Sequence, residues 1–189
     1  MYINPNIALI QDPLVAAAMR LILSAGKWES VSKGDLILTQ GQTCDFLFFV
    51  ESGAFRAFRW IEDKEVTIGF TFSGDVDTCP YAFINHLPSL DTIEALSDGV
   101  IIRIYKSDID KLIIQKPEFK DFLTTLLSHY TEILISRIIE YRILTAEEIY
   151  DNLLFRQPDE VAKIPLQYIA SYLGISKERL SRIRKKHRN

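Results

Sequence analysis

From Glu118 to Leu144 the chain runs for 27 residues without a glycine or a proline. Apolar residues recur there at Phe119, Leu123, Leu126, Leu127, Tyr130, Leu134, Ile138 and Tyr141, which is helical spacing. Pro117 suits the first turn of such a helix. At ~1.5 Å per residue it would be ~40 Å long. A small β domain cannot cover that length. Part of the apolar stripe therefore needs another surface, either a partner within the chain or a second copy of the helix. For a second copy, Leu123, Leu127, Tyr130 and Leu134 are the expected contact positions.

The residues before this helix have a different texture. Between Trp28 and Tyr105, short runs rich in Val, Ile, Phe and Thr are cut by turn signals: "KGDLILTQGQ", "DFLFFVESGAFRAFRW", "EVTIGFTFSGD" and "TIEALSDGVIIRIY". Glycines at 34, 41, 53, 69, 74 and 99 punctuate them. Turn chemistry at short, fairly regular intervals predicts an antiparallel sandwich or barrel. Upstream, Leu14 to Leu23 is apolar but interrupted by Arg20, too short for a membrane span, and reads as a short amphipathic helix. Two cysteines, Cys44 and Cys79, make no disulfide framework and fit free thiols in a cytoplasmic protein.

After the long helix, Thr145-Ala146-Glu147-Glu148 has capping-box form and opens a helix running to about Phe155. The chain then closes on "PLQYIASYLGISKERLSRIRKKHRN". Pro165 suits a helix start, with Ile169, Ala170 and Leu173 on one face. Gly174 follows where a helix ends in a left-handed residue. Ser176 suits the cap of a second helix, whose inner face is Leu180 and Ile183. Two short helices joined by a glycine-containing turn form a helix-turn-helix pattern.

Charge is distributed unevenly over this order. The chain carries −3 overall, yet from Lys163 onward eight Lys/Arg face one acid, Glu178. On a helical wheel the face opposite Leu180 and Ile183 holds Lys177, Glu178, Ser181, Arg182 and Lys185. Arg pairs with guanine and Glu accepts from cytosine, so Lys177, Glu178, Ser181 and Arg182 are the candidate base-reading residues. Arg179, Arg184, Lys185, Lys186 and Arg188 are candidate phosphate contacts. A solvated basic helix is the alternative for the same residues.

An acidic β domain, a long helix and a C-terminal helix-turn-helix together resemble the CRP/FNR family of bacterial transcription regulators. The resemblance spans nearly the whole chain. It rests on "SKGDLILTQGQTCDFLFFVESGAFRAF" as a β-roll opening and "FSGD" as the start of a phosphate-binding cassette. "IYKSDIDKLI" is similar to the exit from the roll, and "IASYLGISKERLSRIRKK" to the helix-turn-helix. The resemblance implies an α+β chain in three parts. Residues 1–107 form a cyclic-nucleotide-binding-like sensor, an antiparallel β-roll of jelly-roll type (a double-stranded β-helix). Residues 108–143 are the long dimerisation helix, and residues 144–189 an all-α helix-turn-helix domain. It also implies a homodimer on two-fold symmetric double-stranded DNA, with half-sites ~34 Å apart. RNA polymerase is the further partner implied, and a membrane is not.

For the sensor, the resemblance places an effector pocket at Gly74, Asp75 and Ser89. Ser89 stands where cyclic-nucleotide-binding members carry the arginine that clamps the phosphate. No arginine lies between Arg59 and Arg103, and from Glu62 to Asp98 eight acids face one base, Lys64. Such a segment repels a phosphodiester, so tight cyclic AMP binding is not expected. Two cysteines fall short of the four thiolates of an iron–sulfur cluster. Cys79 and His86 lie near one another in "CPYAFINHLP" but read as a small buried cysteine and a loop histidine, and neither His129 nor His187 has metal-site spacing. No cofactor is expected, and the effector is not named by the sequence. Three scattered histidines and the absence of GxSxG argue against an enzyme. The remaining rival is a degenerate nucleotide-binding-like scaffold or interaction module whose tail touches nucleic acid only nonspecifically.

Overall fold

The computed structural model describes residues 23–117 and 119–186. The amphipathic helix expected at 14–23 lies almost entirely outside them, as do His187 and Arg188. Eight strands come first: β1 (Lys27–Val31), β2 (Leu36–Leu38), β3 (Phe46–Ser52), β4 (Ala54–Ile61), β5 (Lys64–Phe72), β6 (Val76–Asp77), β7 (Thr92–Ala95) and β8 (Gly99–Tyr105). A short helix, α1 (Pro80–Asn85), interrupts them. They form two four-stranded antiparallel sheets, in the orders β1-β8-β3-β6 and β2-β7-β4-β5. The expected roll is thus present. Its core is the alternating apolar set of both sheets, including Phe46, Phe48, Val50, Phe55, Ile93, Ile101 and Ile104.

The helices that follow are α2 (Lys106–Gln115), α3 (Phe119–Ile143), α4 (Ala146–Arg156), α5 (Pro158–Lys163), α6 (Leu166–Leu173) and α7 (Lys177–Lys186). The segment 108–143, expected as one dimerisation helix, is two helices. The chain leaves α2 at Lys116, whose φ of −140° and ψ of 86° are not helical, and Pro117 lacks the N–H needed to continue the turn. The long helix proper begins at Phe119. Two short helices, α1 and α5, go beyond the expected elements.

A second apolar core lies under the C-terminal helices: Ile149, Tyr150, Leu153, Val161, Ile164, Ile169, Ala170, Leu173, Leu180 and Ile183. It does not stop at the roll. Ala54, Phe70, Phe72 and Leu96, from the β2-β7-β4-β5 sheet and its margin, belong to the same buried cluster.

Candidate nucleic-acid interface

Each end of the α6–α7 unit is set by a local device. Gly174 ends α6 at φ +64°, a left-handed conformation that costs a glycine little. The N–H groups of Gly174 and Ile175 close back on the Ala170 carbonyl, which seals the helix end. Ser176 caps α7, its hydroxyl accepting from the Arg179 N–H at 3.2 Å. Leu180 and Ile183 are buried against Ile169, Ala170 and Leu173, which fixes the rotation of α7 about its axis. The opposite face is thereby turned outward.

That outward face carries the residues expected from the wheel. Lys177, Glu178, Arg182 and Lys185 are exposed, and Ser181 is half-buried beside them. With Leu166 at the start of α6 they line one continuous groove. The backbone N–H at the helix start, then the Ser176 hydroxyl, hold the Glu178 carboxyl below the usual carboxylate range. It is an ionised acceptor near neutral pH. Lys177 reaches Gln167 at 3.4 Å.

The candidate phosphate contacts separate into two groups. Arg179, Lys185 and Lys186 are exposed, and Lys186 also pairs with Glu147 at 3.0 Å. Arg184 points inward. Its Nε donates to the Tyr150 hydroxyl at 3.0 Å, and its Nη2 to the carbonyls of Val161 and Ile164. These carbonyls lie at the end of α5, where that of Val161 also accepts the Ile164 N–H, so Arg184 braces the module rather than facing solvent. Arg188 lies outside the described residues. A second groove, of about 380 Å³, runs between α7 and the start of α4. Thr145 and Glu147 line it together with Arg179, Arg182 and Lys186. The capping box of α4 is complete, with Glu148 taking the Thr145 N–H at 2.7 Å and the Thr145 hydroxyl taking the Glu148 N–H. The sequence marks Thr145 and Glu147 only as a helix start; nothing local shows that α4 opens beside α7.

The apolar residues of α3 divide between the roll and solvent. Leu123 packs against the roll core, and Tyr130 is turned partly toward the roll, near Asp77, Asp91 and Cys79. Tyr141 donates to the Tyr172 carbonyl at 2.6 Å. Leu127, Tyr130 and Leu134, of the four expected contacts, stay exposed, and they continue into Ile135, Ile138 and Ile139, with Ile138 57% exposed. The exposed apolar stripe is therefore Leu127, Tyr130, Leu134, Ile135, Ile138 and Ile139.

Gly74 and Asp75 lie in one loop and Ser89 in another, and the structure gives them different partners. Gly74 and Asp75 make the turn between β5 and β6. The Asp75 carboxylate accepts from the Phe72 N–H at 3.0 Å and pairs with Arg156 of α4 at 3.1 Å. Ser89 is buried in the loop before β7, its hydroxyl held by the backbone of Asp91 and its own backbone by the β2–β3 loop. Where the roll meets α3, other side chains gather: Arg59 pairs with Asp91 at 2.7 Å, and Cys79 donates to the same carboxylate. The Arg137 guanidinium sits on Gly69, where even a Cβ would stand 3.0 Å from it. Burial pushes the Asp77 carboxyl up to about 6, against the opposing bonds from the Thr71 hydroxyl and the Thr78 N–H. The eight acids of this segment mask the two arginines, because both lie outside it in sequence.

Among the described residues, no group of three or more His, Cys, Asp or Glu is arranged to hold a metal ion. Nor is any helix there long and apolar enough to cross a membrane.

Residues 28–116 match the family model of the cyclic nucleotide-binding domain. No curated protein matches the chain. Solved structures of similar fold include FixK2 from Bradyrhizobium japonicum, at 18% identity and a TM-score of 0.72, covering 85% of this chain and 83% of that one. A putative CRP/FNR regulator from Eubacterium rectale is 21% identical with a TM-score of 0.68, covering 94% and 87%. The catabolite activator protein of Thermus thermophilus is 21% identical with a TM-score of 0.57, covering 97% and 86%. The chain has the fold of the CRP/FNR regulators, with a cyclic nucleotide-binding-type roll at its N-terminal side.

Proposed function

We propose that this protein is a transcription regulator that binds a two-fold symmetric DNA site as a homodimer, through α7. The observation that carries this reading is the outer face of α7. Lys177, Glu178, Arg182 and Lys185 are held outward by a buried Leu180–Ile183 skeleton, on a module rigid enough to present them in register. Arg179 and Lys186 flank that face and supply phosphate contacts, with Thr145 at the adjoining helix start. The stripe Leu127–Ile139 on α3 supplies the dimer contact, which sets the spacing of the two recognition helices. RNA polymerase is the partner expected from the family resemblance.

Selection from random duplexes tests the reading. The purified protein should enrich an inverted repeat with half-sites ~34 Å apart, or one helical turn. Recovery of no palindrome would favour the rival, an interaction module with nonspecific nucleic-acid contact. For the dimer, Ile138→Glu should convert the protein to a monomer in sedimentation. An unchanged mass would move the interface elsewhere.

The effector of the roll is not a cyclic nucleotide on this reading. The Ser89 hydroxyl is bonded within its own turn, and Arg59 is already paired with Asp91. Neither is free to offset the desolvation of a cyclic phosphate. Calorimetry against cyclic AMP should show no binding at micromolar concentrations.

A further inference from the structure

The DNA-binding module is attached to the roll by more than the chain. Helix α6 lies between the module core and strand β5, which is the edge of its sheet. Ile169, Ala170 and Leu173 face the module, while Tyr168, Ser171 and Tyr172 face the roll. Ser171 completes the open edge of β5: its hydroxyl accepts from the Thr67 N–H at 3.0 Å and donates to the Glu65 carbonyl at 3.4 Å. An edge strand's polar groups otherwise need water or another strand. Tyr172 meets Phe70 edge-on, with centroids 5.4 Å apart.

The centre of the contact is Arg56 on β4, only 2% exposed. Its guanidinium binds Glu65 and Glu94 on the neighbouring strands. It is stacked between the ring of Phe58 at 4.1 Å and that of Tyr168 at 3.5 Å. Burial works against its charge, but the two carboxylates outweigh burial and hold it more firmly protonated than usual. A second tie joins Arg156 on α4 to Asp75, with the guanidinium 5.8 Å from the ring of Phe72. Phe70 and Phe72 are buried in the module's own core cluster.

We propose that the module α4–α7 and the β2-β7-β4-β5 sheet form one rigid mount, clasped at Arg56–Tyr168 and Ser171–Thr67, and that DNA is bound with the clasp closed. Swinging the module away would expose two phenylalanines, leave a doubly paired arginine uncovered and reopen a sheet edge. The closed contact uses the side of α6 away from α7 and leaves the reading face free. A fixed module also binds with less orientational entropy left to lose. The inference rests on the reading that α7 binds DNA.

The test uses the full-length chain carrying both Tyr168→Ala and Ser171→Ala. Both side chains lie on the outer side of α6, clear of the Leu180–Ile183 core. Affinity for the selected duplex should fall by about tenfold or more, since the module must now be ordered on binding. The salt slope should stay unchanged, because no cation is removed. Tyr168→Phe keeps the stack and should bind like the wild type. Hydrogen exchange gives an independent reading. The Thr67 amide should be protected in the wild-type protein both free and on DNA, and should exchange fast in the double variant. Equal or tighter DNA binding by the double variant overturns the proposal, as does a fall in Thr67 protection when DNA is added to the wild type. If wild-type protein selects no duplex, the regulator reading falls and the DNA-binding half of this proposal with it. Thr67 protection without DNA still decides whether the clasp is closed.

Discussion

The arginines of the roll and those on the outer face of α7 have different fates. In the roll, Arg56 is held by Glu65 and Glu94, Arg59 by Asp91 and Arg103 by Glu29. On α7, Arg179 and Arg182 are exposed and make no salt bridge to a described residue. Lys185, beside them, is in the same condition. The first group neutralises carboxylates within the roll and has no charge left for an incoming phosphate. The second keeps its charge in water, where releasing counterions from DNA favours binding. An acidic chain can thus still present free cations, provided they are collected on one helix. Arg184 shows that position on α7 is not enough to join the second group, since its guanidinium is turned inward onto Tyr150, Val161 and Ile164.

The sharpest way to break this division is to remove a cation from each group and ask what fails. Arg56→Met leaves Glu65 and Glu94 facing each other without their partner. It should cost about 3 kcal/mol of stability in urea unfolding, near the lower end for a broken buried pair, because both carboxylates keep some solvent. A cost below about 1 kcal/mol would mean that water already solvates the cluster. Arg182→Ala should leave the unfolding midpoint alone. It should weaken binding to the selected duplex by about 1–3 kcal/mol and relax specificity at one base pair. Equal weakening on every sequence would reassign Arg182 to phosphate.

Arg184→Ala tests the exception. Removing its bonds to the Tyr150 hydroxyl and two helix-ending carbonyls should cost about 1–2 kcal/mol of stability. The salt slope of DNA binding should not change. A lower slope with unchanged stability would return Arg184 to the phosphate contacts.

A carboxylate supplies a related test. Burial raises Asp77 to about 6 in the folded chain, above its unfolded value near 3.8. The folded state therefore holds the proton more tightly, so stability is greatest below pH ~4 from this group and declines as pH rises to ~6. The expected change is about 1–2 kcal/mol, discounted for the partial exposure of the residue. Asp77→Asn should flatten the profile of urea midpoints across that window. An unaltered profile would place the titrating group elsewhere.

Much of this is legible in the chain because it is local. The turn glycines, the Gly174 stop, the Thr145 capping box and the Leu180–Ile183 face each depend on neighbours a few residues apart. The outward face of α7 follows from the last of these. The short helices α1 and α5 span fewer than two turns, so they leave no periodicity, although Pro80 and Pro158 mark their starts. The stripe on α3 differs from expectation for another reason. The helix is apolar on two faces, and spacing cannot say which one meets the roll. The clasp is not visible in the sequence at all: Thr67 and Ser171 are 104 residues apart, and neither is unusual in its own strand or helix. Its place after Gly74 puts Asp75 in an effector pocket by resemblance, but its partner, Arg156, is supplied by packing between the roll and α4.

The smallest expected effect is also the cleanest test of the free cations. Lys185 is exposed near the end of α7 and makes no salt bridge to a described residue. Lys185→Ala should leave folding unchanged and weaken binding to all duplexes by nearly the same factor. The slope of log affinity against log salt should fall by about 1, as expected when one phosphate-binding cation is removed. Lys186 offers the internal comparison, because it pairs with Glu147 while remaining 69% exposed at its side chain. If that pair persists on DNA, Lys186→Ala should lower the slope by less than Lys185→Ala. Equal slopes would mean that the phosphate displaces Glu147. Lys186 would then count with Arg179, Arg182 and Lys185 as charge kept free for DNA.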